Sequence, residues 1–160
     1  NFIFLKLDIN IILSYIFFYI NKLLYNMLNP KILKIKKFIN KSGRLLAVNS
    51  FDKKLFPYRI KRIFFVDSKK NAIRGKHAHI FCSQLIVCLE GKIEVKIYNS
   101  NNKEYFFEIN NSNKNALLLP KKHWVILKSK AKYNLIAVLC DYKYNKKKDY
   151  INSFKQFLKK

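Results

Sequence analysis

The sequence predicts an all-β sandwich or barrel with a short helical end. Three observations carry that prediction. Eight short apolar or alternating runs, each of strand length and separated by polar turns, fill the chain after Met27. One pair of these runs reads as a hairpin with strict inward and outward alternation. Helical spacing appears only in the last dozen residues.

In chain order the runs are Lys31 to Ile39, Arg44 to Val48, Tyr58 to Val66, Gln84 to Leu89, Lys92 to Tyr98, Tyr105 to Ile109, Ala116 to Leu119 and Leu135 to Cys140. The hairpin is the segment Lys92 to Tyr98, a turn over Asn99 to Asn102, and the return from Lys103 to Ile109. Ile93, Val95 and Ile97 fall on its inner face, and Glu94 and Lys96 on its outer face. In the tail from Asp149 to Lys160, a helix places Ile151, Phe154 and Phe157 or Leu158 on one side.

The chain has 160 residues, half of them hydrophobic, which suffices for one buried core. Three Gly and three Pro are too few for a flexible tether to a second domain. The first residues stand apart, because Ile9 to Asn21 carries no charge and is dense in Ile, Phe, Tyr and Leu. That stretch, bounded by Asp8 and Lys22, is shorter than the ~20 residues a membrane span requires. It has neither a basic start nor a small-residue cleavage site. The expectation is therefore an extraneous or peripheral hydrophobic extension over 1–26, with an interfacial helix as the rival, and one functional domain over 27–160.

A formal charge of +24 suggests a nucleic-acid binder, but the kind of charge argues otherwise. Of the 33 basic residues, 29 are Lys and 4 are Arg, whereas base readers depend on the planar guanidinium fork. Lys, Asn and Ile share A/T-rich codons, so the charge reads as base-composition drift on solvated faces. No nucleic-acid partner is expected. Cys82, Cys88 and Cys140 are odd in number and scattered, which fits a reducing cytoplasm better than a disulfide framework or a structural zinc site. Cys88 and Cys140, inside apolar runs, read as small core residues.

The concentrated chemistry lies in Arg74-Gly-Lys-His-Ala-His79, with Gln84 and Gly91 following. On a strand His77 and His79 project to the same face. The pattern His-x-His, four residues, Gln, six residues, Gly resembles the first motif of the cupins, double-sheet jelly rolls that usually carry a metal-binding Glu where Gln84 stands. The second cupin motif places a His five residues after a proline, and here Val125 occupies that place after Pro120, with His123 two positions away. With only two good ligands left, no metal is expected.

The resemblance narrows on further residues. Phe56 to Val66, Arg74 to His79, Gln84 to Gly91, Pro120 with Trp124, Asp141 to Tyr144 and Asp149 to Ile151 are similar, in order and without large insertions, to the dTDP-4-keto-6-deoxyglucose 3,4-ketoisomerases, the WxcM-like sugar-nucleotide cupins. That resemblance implies a cupin double-stranded β-helix, or jelly roll, assembled as a homodimer with exchanged N-terminal strands. It implies a dTDP-sugar substrate, no cofactor, and movement of the keto group from C4 to C3 through an enediol(ate). By the same resemblance His77 and His79 are the acid and base, with their order left open. Arg62 and Arg74 are diphosphate or oxyanion contacts, Gln84 a sugar or histidine partner, and Trp124 and Tyr142 pocket walls. A 3,5-epimerase needs a His paired with an Asp, and no Asp lies near the histidines in sequence. A non-catalytic sugar-nucleotide binder is the other alternative. The chain departs from the family at Phe64 and Phe65, where Tyr is common, at Val125, where His is frequent, and at Lys92, where a small Ser is usual.

Overall fold

A computed structural model describes residues 9–48, 56, 58–113 and 115–159. The elements in order are helix α1 (Ile9–Leu28), β1 (Lys31–Lys34), β2 (Lys36–Asn40), β3 (Gly43–Ala47), β4 (Arg62–Lys69), β5 (Ile73–His79), β6 (Gln84–Glu90), β7 (Lys92–Tyr98), β8 (Glu104–Asn110), β9 (Asn115–Leu119), β10 (Trp124–Ser129), β11 (Tyr133–Cys140), α2 (Lys146–Asp149), β12 (Tyr150–Ile151) and α3 (Phe154–Phe157). Two five-stranded sheets, ordered β1-β9-β6-β11-β4 and β12-β5-β10-β7-β8, form the sandwich, and β2 pairs with β3 alone. All the strand pairings are antiparallel. The architecture is the double-sheet jelly roll.

Side-chain parity explains the apolar runs of the first sheet. Ile86, Cys88, Leu117, Leu119, Ile136, Val138 and Cys140 turn inward and meet Ile93, Val95, Ile97 and Val125 of the second sheet. Their neighbours Leu85, Val87, Leu118, Ala137 and Leu139 turn outward, yet they too are buried, under Ile35, Phe56 and the partly buried Leu46, Tyr58 and Ile60. A sheet covered on both faces needs apolar residues at every position, so β6, β9 and β11 show no alternation. By contrast β7 keeps its alternation, because Glu94 and Lys96 face outward from buried Ile93, Val95 and Ile97.

Several expectations need correction. The run Lys31 to Ile39 is two strands, because the chain leaves the first sheet at buried Ile35 and enters the β2–β3 hairpin. Tyr58 and Ile60 lie before β4, where they pack as irregular chain on the outer face of the first sheet. β5 and β10 were absent from the eight runs. The tail is not one helix: Tyr150 and Ile151 pair with His79 and Ala78 of β5, and only Phe154–Phe157, capped by the Ser153 hydroxyl, is helical. Phe157 and Ile151 are buried as the apolar side of the tail, and Leu158 is exposed.

A β-bulge hides the period of β5. Val125 pairs with His77 and Ile126 with Gly75, so Lys76 is the extra residue, at φ 57° after Gly75 at φ 81°. A Cβ on Gly75 would lie 2.5 Å from the Val125 carbonyl oxygen, which makes glycine obligatory there. Ahead of the sandwich, α1 presents side chains that are exposed wherever they are described, from Ile12 at 36% to Phe17 at 69%. Among the described residues no helix is long and apolar enough to cross a membrane.

Candidate active site

Strand register delivers three polar side chains from each sheet to one end of the sandwich interior. From the first sheet Arg62 pairs with Cys140, and Cys140 with Gln84, so all three share the inner face with Phe64 and Val138. From the second, Val125 faces inward and pairs with His77, which fixes His77 and His79 inward, and Tyr150 pairs with His79. The six then meet in one cluster of hydrogen bonds and ring contacts.

The histidines are joined at 3.2 Å between their Nε2 atoms. His77 Nδ1 faces the Gly75 carbonyl at 3.0 Å, and His79 Nδ1 faces Asp149 Oδ2 at 2.6 Å. Both of these partners only accept, so each ring carries its hydrogen on Nδ1 and turns the Nε2 lone pair toward the other ring. Gln84 Nε2 donates to His79 Nε2 at 3.2 Å. Asp149 is itself fixed, its Oδ1 accepting from the Phe81 and Cys82 amides at 2.8 and 3.3 Å. The Tyr150 ring packs against both histidines, at 4.9 and 4.4 Å between centroids.

Electrostatics keep the pair uncharged at neutral pH, with both Nε2 lone pairs able to accept a proton. Burial lowers both histidines below the ordinary imidazole value, and for His79 the Asp149 carboxylate works against that burial. Burial pushes the Tyr150 phenol up, opposed by the positive charge of nearby Arg62. Arg62 lies over the rings of Phe64 and Tyr144 at 4.9 and 5.3 Å, and its Nη2 reaches Cys140 Sγ at 3.5 Å. Its Nε is buried without a hydrogen-bond partner. A buried guanidinium N–H left open is a donor held ready for an oxygen of something bound.

The other expected residues divide. Tyr142 stands just past β11 at this end, against Phe81 at 5.4 Å. Because the bulge shifts its phase, Arg74 pairs with Leu127 and shares the inner face with His77 three residues on. It is exposed, however, and lines a cavity of about 420 Å³ with Asp67, Ser68, Lys69, Ala72 and Tyr133, away from the histidine end. Trp124 is not a pocket wall. It pairs with Ala78, on the face opposite His77 and His79, and packs in the outer core with Ile151, Phe154 and Phe157. Phe64 faces the site under Arg62, whereas Phe65 is 66% exposed on the outer face.

Three residues of the site were not among the sequence candidates. Asp149, 1% exposed, is 70 residues from its histidine, so the argument that no Asp accompanies the pair is corrected. Tyr150 follows it. Cys140 is more than a core filler: the neighbouring Cys82 thiol and the Arg62 guanidinium hold it below the ordinary thiol range, whereas burial pushes Cys88 up to about 12. The only sequence signal was the Asp149-Tyr-Ile151 motif, whose partners adjacency cannot reveal. Among the described residues, His123 is outside any cluster of metal donors, its Nδ1 bonding the Lys121 carbonyl at 3.1 Å.

The sequence and the fold are both similar to those of known proteins. A TDP-4-oxo-6-deoxy-α-D-glucose-3,4-oxoisomerase of Aneurinibacillus thermoaerophilus is 36% identical over 72 residues, 44% of this chain and 50% of that protein, so the match spans half of that relative's length. A 3,4-ketoisomerase from Helicobacter canadensis superposes with a TM-score of 0.73 at 26% identity, over 82% of this chain and 96% of that one. The TDP-fucose-3,4-ketoisomerase of Campylobacter jejuni gives 0.71 at 28% identity, over 82% and 94%. The family model described as FdtA: WxcM-like, C-terminal matches residues 28–160, and the chain belongs to that family.

Proposed function

We propose that this chain is a dTDP-sugar 3,4-ketoisomerase, moving the keto group of a dTDP-4-keto-6-deoxyhexose from C4 to C3. The observation that carries the reading is the buried cluster in which Asp149 holds His79 at 2.6 Å and the Nε2 atoms of His77 and His79 face each other at 3.2 Å, in a family two of whose compared members are named for TDP-sugars. The reaction removes the proton on C3, passes through an enediol(ate) in which O3 gives up its hydrogen and O4 gains one, and returns a proton at C4. His79, held and oriented by the Asp149 carboxylate, takes the C3 proton on Nε2. Its neighbour Nε2 on His77, 3.2 Å away, receives that proton and delivers it at C4. Arg62 Nε donates to the sugar oxygen on which charge develops, a role its open buried N–H supports. Gln84 orients His79, and Tyr142 borders the sugar. Arg74 contacts the diphosphate from the exposed end of β5.

No cofactor or metal enters these steps, because Gln84 and Val125 stand where cupin ligands would. Activity is accordingly expected to survive chelation. Residues 27–160 form the catalytic unit and 1–26 an appendage, which the exposed side chains of α1 support. The enzyme works as a cytoplasmic homodimer exchanging N-terminal strands and feeds deoxyamino-sugar and surface glycan synthesis. Incubating the purified chain with dTDP-4-keto-6-deoxyglucose and analysing the sugar by NMR tests the reading. A 3-keto product is expected, and unchanged substrate that nevertheless binds would favour a binding-only cupin. The His79–Asp149 pair is also what a 3,5-epimerase needs, and deuterium appearing at C5 in heavy water would support that alternative.

A further inference from the structure

The floor of the site sets a sulfur that proton transfer does not use beside two groups that it does. One nitrogen of His79, Cys82 Sγ and one carboxylate oxygen of Asp149 lie within 4.8 Å of one another, and all three residues are buried. Beside them is a second sulfur, that of Cys140, while the Cys82 thiol itself donates to the Ser83 carbonyl at 3.5 Å. We propose that His79, Cys82 and Asp149 form a binding site for a thiophilic divalent cation, zinc first, whose occupancy switches the isomerase off.

Chemistry favours such an ion over calcium or magnesium, which take six or more oxygen ligands. A nitrogen, a sulfur and a carboxylate are instead the donors zinc accepts at about 2.0–2.3 Å in a four-coordinate shell, with water completing it. Charge closes as well. When sulfur ligates, Cys82 releases its proton to solvent, and one thiolate plus one carboxylate balance the dication. The ring nitrogen facing Asp149 at 2.6 Å is Nδ1, so ligation there moves the ring hydrogen to Nε2. A His79 with its hydrogen on Nε2 has no lone pair for the C3 proton. Cation and catalysis thus compete for one imidazole. The site shares His79 with the cupin ligand positions, two of which Gln84 and Val125 have removed, but takes its other donors, Cys82 and Asp149, from elsewhere.

The inhibition half rests on the isomerase reading, whereas binding does not, so the test reads both. The full chain, freed of metal with a chelator, is titrated with Co²⁺ and then with Zn²⁺. One equivalent of Co²⁺ is expected to give a thiolate-to-cobalt charge-transfer band with tetrahedral d–d bands, both erased by Zn²⁺. Isomerase turnover is expected to fall at least 10-fold in step with zinc occupancy and to return on chelation. Cys82→Ser is expected to lose the charge-transfer band and at least 10-fold in zinc sensitivity. X-ray absorption on the zinc-loaded native chain adds a reading independent of that variant's folding, and at least one sulfur at about 2.3 Å is expected. Absence of sulfur from the zinc shell, or zinc inhibition unchanged in Cys82→Ser, would overturn the proposal. Full cobalt binding with undiminished turnover would overturn the switch, and a chain without isomerase activity would still be judged on its spectra.

Discussion

Two buried polar residues sit at opposite ends of the same sandwich, Asn134 at 0% exposure and Asp149 at 1%. Both stitch loops to strands. Asn134 accepts from the Lys92 and Ala131 amides at 3.0 and 3.2 Å and donates to the Ser68 and Ala131 carbonyls at 3.2 and 2.8 Å. Every capacity of its amide is used, and no charge is involved. Asp149 likewise holds two amides, but its second oxygen holds an imidazole, which faces a second imidazole, with an unpaired Arg62 N–H among the same residues. The first cluster is saturated and neutral, so it supports structure. The second keeps a lone pair, a charge and a donor uncommitted, and that surplus is what a reaction can use.

Breaking the two clusters should therefore have different consequences. The largest effect is expected at the histidines: His77→Asn and His79→Asn should each lower turnover by roughly 10²-fold or more while dTDP-sugar binding persists, as steady-state kinetics and equilibrium binding would show. Asn134→Ala should reverse the pattern. Leaving several buried backbone groups unpaired should cost roughly 2–4 kcal/mol, seen as a melting temperature lower by about 5–15 °C, with turnover of the folded enzyme nearly unchanged.

A pH series sharpens the contrast further. Burial lowers His77, His79 and His123, so the unfolded chain binds more protons than the folded one once pH falls through about 6.5. Their contribution to stability is present above that value and is lost as pH falls through the lowered folded values. Turnover should fall over the same acid window, as the bases are protonated. Thermal melts and kinetics between pH 8 and about pH 4.5 would check this, and stability that rises on acidification would contradict it. The smallest effect is expected beside the pair: Phe64→Tyr, restoring a hydroxyl under Arg62, should alter turnover several-fold, whereas Phe65→Tyr on the exposed face should leave it unchanged.

How far the sequence revealed this is clearest at particular residues. Alternation in β7 and β8 was legible because that hairpin has one wet face. Apolar β6, β9 and β11 were legible as strands, although not as strands covered on both sides. β5 was obscured by the bulge at Gly75 and Lys76, which breaks a period of two. The tail misled because Phe154 and Phe157 have helical spacing, while the backbone of Tyr150 and Ile151 is claimed by β5. His77, His79, Gln84 and Arg62 were found because motif spacing identifies them. Asp149 and Tyr150 were not, since only tertiary pairing brings residue 149 to residue 79. Trp124 looked like a pocket wall until strand parity put it on the far face.

Solvent deuterium is the most direct test of His-mediated transfer. With the dTDP-4-keto-6-deoxyhexose substrate in heavy water, His79→Asn should stop deuterium from entering C3. His77→Asn should leave C3 exchange running while the 3-keto product fails to accumulate. Both variants exchanging and turning over at the wild-type rate would remove the pair from the chemistry and contradict the account.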